Sequence, residues 1–326
     1  MSDVRRRIAV AVAVGLGAGA LAAIPAQGAT RIEKHLALAP GGRLIVRSEV
    51  GSVVVRGNAA AGAAVVVSAD RDDLEQVYEM SFTATPGQAE IVIRRRSHLW
   101  SWFEGWPGWR GRVEIAVSVP HATAASVHTS GGRVEASELT GDTELSSSGG
   151  AVVAHDLAGK LDAHSSGGAV EVRGLRGDVH LSSSGGGVRA AAVQGAVEAR
   201  SSGGGIQLEQ VAGSVRAESS GGGVTIRDAG GRVEASSSGG PVHVRFAAGN
   251  AHGGDVDSSG GGVEVLIDPA VSLGVDAGSS GGSVSCDLPM TVQGKLSRHA
   301  VRGVLHGGGE LLRVRSSGGG VRIAPL

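Results

Sequence analysis

The sequence is poor in aromatic residues, which make up 2% of its 326 positions. A chain with so few rings cannot fill a thick globular core, so small aliphatic side chains must form whatever core it has. Cysteine is also scarce: Cys286 is the only one, which excludes a disulfide within the chain. Because Cys286 lies among apolar positions, we expect it to be a small buried thiol.

Basic stripes and metal-ligand patterns are missing too. The chain carries 30 basic and 31 acidic residues of mixed order, so it lacks the basic track with stacking aromatics that nucleic-acid binding requires. None of the 11 histidines forms a pair at metal-ligand spacing, and the glycine-rich turns lack the aspartate of calcium-binding nonapeptide repeats. We therefore expect no nucleic-acid partner, no metal and no other cofactor.

The one long apolar run, residues 8–24, lies at the start of the chain. It follows Arg5, Arg6 and Arg7 and precedes a short stretch of small residues that ends at Gly28. This order predicts a signal peptide over residues 1–28 and a mature protein in the periplasm, at the cell surface or outside the cell. An uncleaved membrane anchor is the alternative, since the run is near the lower length limit for a span.

Glycine, in contrast, is abundant, with 56 residues, and much of it belongs to a repeat. A serine followed by two glycines returns every 18 residues from Ser130 to Ser238. A fixed short period is typical of a solenoid, in which each coil buries its apolar side against its neighbours. The serines themselves are expected to form a stacked hydrogen-bonded ladder.

Each repeat contains two short alternating segments, as the coil that begins at Ser184 illustrates. Its apolar positions are Val188 and Ala190, then Val197 and Ala199, with polar residues between them. Period-two alternation broken by glycine every nine residues predicts strands and not helices. The sequence thus predicts an all-β, single-stranded parallel β-solenoid (β-helix) with 18-residue coils.

The repeat also divides the chain. Residues 29–120 are strand-rich but irregular, and we interpret them as an N-terminal cap that contains a Trp-rich loop at 98–110; within it, residues 43–57 resemble a degenerate coil. Residues 121–326 form the solenoid, regular over 130–238 and looser over 239–326. Residues 288–309 are the largest departure from the period, and we expect them to leave the coils as a loop.

The order of the strand segments resembles a known family. The resemblance rests on the segments "GGRLIVRSEVGSVVVRG", "VEIAVSVP", "VHTSGGRVEASELTGDTELSSSGG", "GGGVEVLIDP" and "VRSSGGGVRI". Together they resemble the bacterial putative-adhesin family of exported β-strand-repeat proteins, a domain of unknown function. The resemblance implies a β-solenoid in the cell envelope, and it supplies no catalytic residues.

All four tryptophans lie within ten residues of one another, in the segment "HLWSWFEGWPGWRG". Its glycines and proline break regular structure, so we expect a loop or short hairpin. The rings either cap the open end of the first coil or form an exposed patch for a glycan or a membrane interface, assisted by nearby arginines. The candidate contact residues are Arg94, Arg95, Arg96, Trp100, Trp102, Phe103, Trp106, Trp109 and Arg110.

Three functions remain open from the sequence. The first is a non-catalytic envelope protein, an adhesin or binding scaffold whose partner is a glycan, a lipid surface or a protein. The second is a structural spacer or an accessory protein of envelope signalling. The third is a polysaccharide-acting β-helix enzyme, which is disfavoured because the regular coils leave no room for a walled cleft; the loops after Pro289 are the place for its active site.

Overall fold

The structure is a computed structural model that describes residues 30–70, 74–96, 112–293 and 297–326. These residues form an all-β fold with one short helix. The N-terminal elements are β1 (Thr30–Leu36), β2 (Arg43–Ser48), β3 (Ser52–Arg56), β4 (Ala63–Ala69), α1 (Leu74–Val77), β5 (Tyr78–Thr85), β6 (Gln88–Arg95), β7 (Val113–Ser118), β8 (Ala124–Thr129) and β9 (Val134–Ser137).

The regular middle contains two strands in each repeat. These strands are β10 (Thr143–Ser147), β11 (Val152–Ala158), β12 (Leu161–Ser165), β13 (Val170–Arg176), β14 (Val179–Ser183), β15 (Val188–Gln194), β16 (Val197–Ser201), β17 (Ile206–Val211), β18 (Val215–Ser219), β19 (Val224–Ala229), β20 (Val233–Ser237) and β21 (Val242–Phe246). The C-terminal strands are β22 (Gly254–Ser258), β23 (Val263–Ile267), β24 (Leu273–Ser279), β25 (Val284–Cys286), β26 (Thr291–Val292), β27 (Ala300–Leu305), β28 (Leu311–Ser316) and β29 (Val321–Pro325).

The strands stack into two long sheets that enclose one apolar core. Sheet A has the order β1-β4-β7-β3-β9-β11-β13-β15-β17-β19-β21-β23-β29-β25. Sheet B has the order β26-β27-β24-β28-β22-β20-β18-β16-β14-β12-β10-β8-β2-β6-β5. The chain alternates between the sheets through the middle, so that each pair of strands makes one coil.

In the middle of the chain, each strand pairs in parallel with the strand of the next repeat. Leu161 lies opposite Thr143 on one side and Val179 on the other, an offset of one repeat in each direction. The side chains alternate as predicted, since Val197 is buried while its neighbour Glu198 is partly exposed. The predicted inward columns therefore form the core.

A third buried row lies between the two predicted ones in each repeat. In six repeats a residue adopts a positive φ, 54–59° at five non-glycine residues and 66° at Gly174, and the next residue turns its side chain into the core. In one such repeat the residue is Asp156, followed by the buried Leu157. The corresponding buried residues are Leu139, Leu157, Leu175, Val193, Val211 and Ala229. This left-handed residue lets the strand bend and continue.

A serine ladder is present, but it uses the residue before the predicted one. The buried hydroxyl of Ser165 donates to the carbonyl of Gly150 at 2.8 Å and accepts from the amide of Gly168 at 2.9 Å. Ser166, the serine of the Ser-Gly-Gly corner, is exposed. The buried serines in this row are Ser147, Ser165, Ser183, Ser201, Ser219 and Ser237. They satisfy corner backbone groups that would otherwise be buried without partners.

The parallel arrangement of the middle does not continue through residues 30–120, which the sequence predicts to be irregular. There β6 and β7 form a coil that stacks in parallel outside the β2–β3 coil, while β4 pairs antiparallel with β7, β1 with β4, and β5 with β6. Both sheets are therefore mixed. Leu74 of α1 and Tyr78 of β5 are buried beneath this end, where antiparallel strands give the core a boundary that a bare coil lacks.

The C-terminal end also departs from the order of the chain and also contains antiparallel strands. The last coil, β28–β29, inserts between the β22–β23 coil and the β24–β25 coil, so the chain finishes inside the stack. Residues 288–309, expected as a loop, include β26 and β27, and β27 pairs antiparallel with β24. Within the described ranges, no helix is long and apolar enough to cross a membrane.

Candidate functional site

The structure describes only part of the predicted contact set. Trp100, Trp102, Phe103, Trp106, Trp109 and Arg110 lie outside the described residues. Arg94 and Arg95 end β6, Arg96 follows it, and all three are exposed. Arg112, which lies on the far side of the undescribed segment, is exposed as well.

The segment between β6 and β7 begins and ends at one corner of the stack. In the neighbouring coil, residues 49–51 join β2 to β3. The amide of Glu49 donates to the carbonyl of Ile93 at 3.0 Å, and Gly51 packs against the backbone of Val113. Because three residues span at most about 7 Å between their end Cα atoms, the two ends of the segment lie close together.

Four arginines at this corner have no carboxylate partner for their side chains among the residues that the structure describes. The side chains of Arg94, Arg95 and Arg112 form no ion pair with any residue that the structure describes, and Arg96 donates only to the carbonyl of Tyr78 at 3.4 Å. Two nearby carboxylates accept from backbone amides. Glu49 accepts from the amide of Arg95 at 2.8 Å and Asp70 from the amide of Arg112 at 3.4 Å.

The end of the rod next to this corner is already closed by strands. Ile32 and Leu36 of β1 and Met80 and Phe82 of β5 pack against the core and are partly buried. Together with the buried Leu74 they cover the β6–β7 coil, which is the outermost coil at this end. These strands thus form a boundary of the core at this end, while the two roles expected of the tryptophan rings concern residues outside the described ranges.

A ladder of paired charges occupies the outer face of sheet B. Glu198 contacts both His180 and Arg200. Arg200 in turn lies 3.2 Å from Glu218, which lies 2.8 Å from Arg216. Further pairs on this face are Arg216–Glu234, Arg232–Asp255, Arg313–Asp255, Arg315–Asp276 and Arg302–Asp276. Adjacent repeats therefore neutralise one another's charges.

The pKa shifts on this face follow from those pairs. Burial alone would raise the pKa of Glu218, but hydrogen bonds from Arg216 and Arg200 hold it below its usual value. Asp257 differs, because burial and the charge of Asp255 raise its pKa. A shallow depression lined by His180, Glu198, Arg216 and Glu234 crosses the face. His180 pairs with Glu198 and Arg216 with Glu234, while Asp178, which also lines the depression, accepts from the amide of Ala196.

A comparison with protein-family models matches residues 49–324 to the Toastrack DUF4097 model. The chain belongs to this family. Among solved structures, a "putative lipid binding protein" from Parabacteroides distasonis is similar to it, with 12% identity, a TM-score of 0.50, and coverage of 91% of this chain and 97% of that one. A "putative adhesin" from the same organism has 13% identity, a TM-score of 0.47, and coverage of 91% and 98%. A search of the curated proteins finds no significant match.

At these identities the likeness shows the fold alone. The description of the Toastrack family gives neither an activity nor a ligand. The described part of the Toastrack chain contains no group of three or more His, Cys, Asp or Glu side chains able to hold a metal ion. Cys286, expected to be buried, is only partly so, and burial raises the pKa of its thiol. Neither observation provides a reactive centre.

Sequence reasoning missed the charge ladder of this Toastrack chain, although a signal existed. The column 14 residues after each serine is mixed in sign, and its charges were considered only as evidence against a basic track. The alternation from Glu198 to Arg216 to Glu234 at one-repeat steps places opposite charges side by side in a parallel sheet. Reading along the columns would have predicted the pairs.

Proposed function

We propose that this Toastrack protein is an exported, non-catalytic β-solenoid of the cell envelope that binds an anionic surface through the segment between β6 and β7. The rod is the scaffold, and the segment with its four tryptophans is the contact. The observation that carries the proposal is the group of exposed arginines at the base of the segment, which lack carboxylate partners among the described residues.

The contrast with the rest of the rod supports this assignment. On sheet B, Arg200 and Arg216 are each held between two carboxylates. At the corner, Arg94, Arg95 and Arg112 retain their charge for a ligand beside an aromatic-rich stretch. Cationic side chains close in sequence to aromatic ones suit phosphate or carboxylate groups that adjoin apolar or sugar surface.

The closure of the N-terminal end also supports a contact role. Since β1, β5 and α1 pack over the β6–β7 coil, the core has a boundary at this end that is formed without the tryptophan segment. One of the two similar structures from Parabacteroides distasonis is named a "putative lipid binding protein", and a lipid surface is accordingly one of two ligand sources to test. An acidic envelope glycan is the other, because both present anionic groups.

The experiment measures binding of the chain without residues 1–28 to vesicles of phosphatidylglycerol in phosphatidylcholine, to pure phosphatidylcholine, and to an immobilised acidic polysaccharide. Replacing Arg94 and Arg95 with Gln should weaken anionic binding by about 30-fold, since each charge near such a surface contributes about 1 kcal/mol. Arg176 and Arg189, exposed on the rod, provide a matched double replacement that should leave binding unchanged.

The ring contribution is tested with Trp102→Ala combined with Trp106→Ala. A contact role predicts loss of binding with an unchanged melting temperature, whereas a cap role predicts a loss of about 3 kcal/mol or more per ring in stability. Failure to bind either anionic ligand would reject the binding proposal and leave the spacer as the function.

A further inference from the structure

The two sheets end in four edge strands, and three of them are protected against pairing with another chain. At the C-terminal end, β25 and β26 contain only three and two residues. At the N-terminal end, β1 exposes Arg31, Glu33 and Lys34. Short and charged edges are the usual protection against edge-to-edge pairing. The fourth edge, β5, has eight residues, a single charge at Glu79, and neither lysine nor proline.

The hydrogen-bonding groups on the open side of β5 can be assigned from its pairing with β6. The amide of Arg96 donates to the carbonyl of Val77 at 2.9 Å, which makes these two residues a hydrogen-bonded pair. Because such pairs alternate in an antiparallel ladder, the odd-numbered residues of β5 face β6. The backbone groups of Met80, Phe82 and Ala84 therefore point away from β6, and within the described residues no strand pairs with that side.

The side chains of the same residues are incompletely covered. Met80, Phe82 and Ala84 face the core side of sheet B but remain partly exposed. Below them the core is complete, with Ala89 and Ile91 of β6 fully buried. An added strand at this edge would extend the sheet and cover the exposed parts of Met80 and Phe82.

We infer that β5 pairs antiparallel with β5 of a second copy of this chain around a two-fold axis. Antiparallel partners share a face, so even-numbered residues must oppose even-numbered ones. The two registers that meet this condition with the longest overlap of the strand place Met80 opposite Phe82 or opposite Ala84. Glu79 then faces Thr83 or Thr85 in the two registers, so the lone charge never opposes itself.

The two-fold arrangement also closes on itself. It uses both copies of the one long unprotected edge among the described strands, so the product is a dimer and not a fibre. The dimer would bring the two arginine-bearing corners into one continuous sheet. The inference is independent of the proposed function, because it rests on the edge strand and not on the segment between β6 and β7.

The oligomeric state of the chain without residues 1–28 tests the inference. Light scattering and sedimentation across a concentration series should give twice the monomer mass. Ala84→Pro removes the amide that faces the open side without touching a bond to β6, and it should shift the protein to monomer. Ala84→Val keeps that amide, and it should remain a dimer.

Oxidative cross-linking gives a second readout that does not depend on the proline variant folding. In a Cys286→Ser background, Ser81→Cys should cross-link with itself in one register, or with Thr83→Cys in a mixed sample in the other. Ser236→Cys, exposed in the middle of the same sheet, should not cross-link. A monomer at every concentration, or a dimer that survives Ala84→Pro without either cross-link, would overturn the inference.

Discussion

The hydroxyl of Ser183 donates to the carbonyl oxygen of Gly168 in the preceding coil at 2.8 Å while it accepts from the amide of Gly186 at 3.0 Å in its own coil. Gly168 in turn donates its amide to Ser165. The buried serines thus form a continuous hydrogen-bonded chain along one corner of the rod. In a core made mainly of valine and alanine, this corner holds successive coils in register.

The ladder predicts that two adjacent serines differ sharply in their contribution. Ser183→Ala leaves the carbonyl of Gly168 and the amide of Gly186 buried without partners, and it should lower the free energy of unfolding by about 1–3 kcal/mol. Ser184→Ala alters an exposed hydroxyl, and it should cost under about 0.5 kcal/mol. Urea denaturation of both variants is the measurement, and equal effects would contradict the ladder.

A second prediction tests the out-of-order stacking of the N-terminal coils. A Cβ at Gly132 would collide with the carbonyl of Gly51, whereas one at Gly131 would meet no atom within 4 Å. Gly132→Ala should therefore destabilise the protein by about 3 kcal/mol or more. Gly131→Ala, its neighbour in the same corner, should be neutral or slightly stabilising. If both were neutral, the β2–β3 coil could not lie against this corner.

The sequence predicted the middle of the rod because its signals are strictly periodic. Val188, Ala190, Val197 and Ala199 were assigned inward from alternation alone, and all four are buried. The third inward row was not predicted, because the residue before it, which adopts a positive φ, differs in type from one repeat to the next. It is aspartate at 156, glycine at 174 and alanine at 192, so no residue type marks the bend.

The ends could not be predicted for a different reason. A period fixes the length of a coil but not which coils are neighbours, and β28–β29 is inserted between two earlier coils. The arginine corner was predicted only in part. Arg94, Arg95 and Arg96 were named because they precede the tryptophans, but the absence of ion pairs with described residues depends on where Glu49 and Asp70 lie in space.

The left-handed row gives a third prediction. Ala192 is exposed with φ near 56°, a conformation that costs an L-residue about 1–2 kcal/mol. Ala192→Gly removes that cost, so it should leave the free energy of unfolding unchanged or raise it by up to about 1 kcal/mol after the entropic loss. Ala191→Gly, one residue earlier in ordinary strand conformation, should lower it by about 0.5–1 kcal/mol. If both substitutions lowered the free energy of unfolding, the assigned positive φ at Ala192 would be excluded.

The last prediction concerns acid stability at the C-terminal end. Burial would raise the pKa of Asp276, but hydrogen bonds from Arg315 and Arg302 outweigh it and hold the pKa below the usual value. A lowered native pKa means that the carboxylate stabilises the fold above about pH 4, and that this contribution disappears as the pH falls through the native pKa. Asp276→Asn should therefore cost about 1–3 kcal/mol at pH 7, because charged hydrogen bonds are lost and Arg315 is left without its carboxylate partner.

Asp162→Asn is the control, since Asp162 is exposed and forms no ion pair with the described residues. Denaturation at pH 7 and pH 3 should show the difference between wild type and Asp276→Asn shrinking with acidification, while Asp162→Asn stays close to wild type at both. A difference that grew on acidification would mean that the carboxyl stabilises the fold in its protonated form, and the two arginines would not be its effective partners.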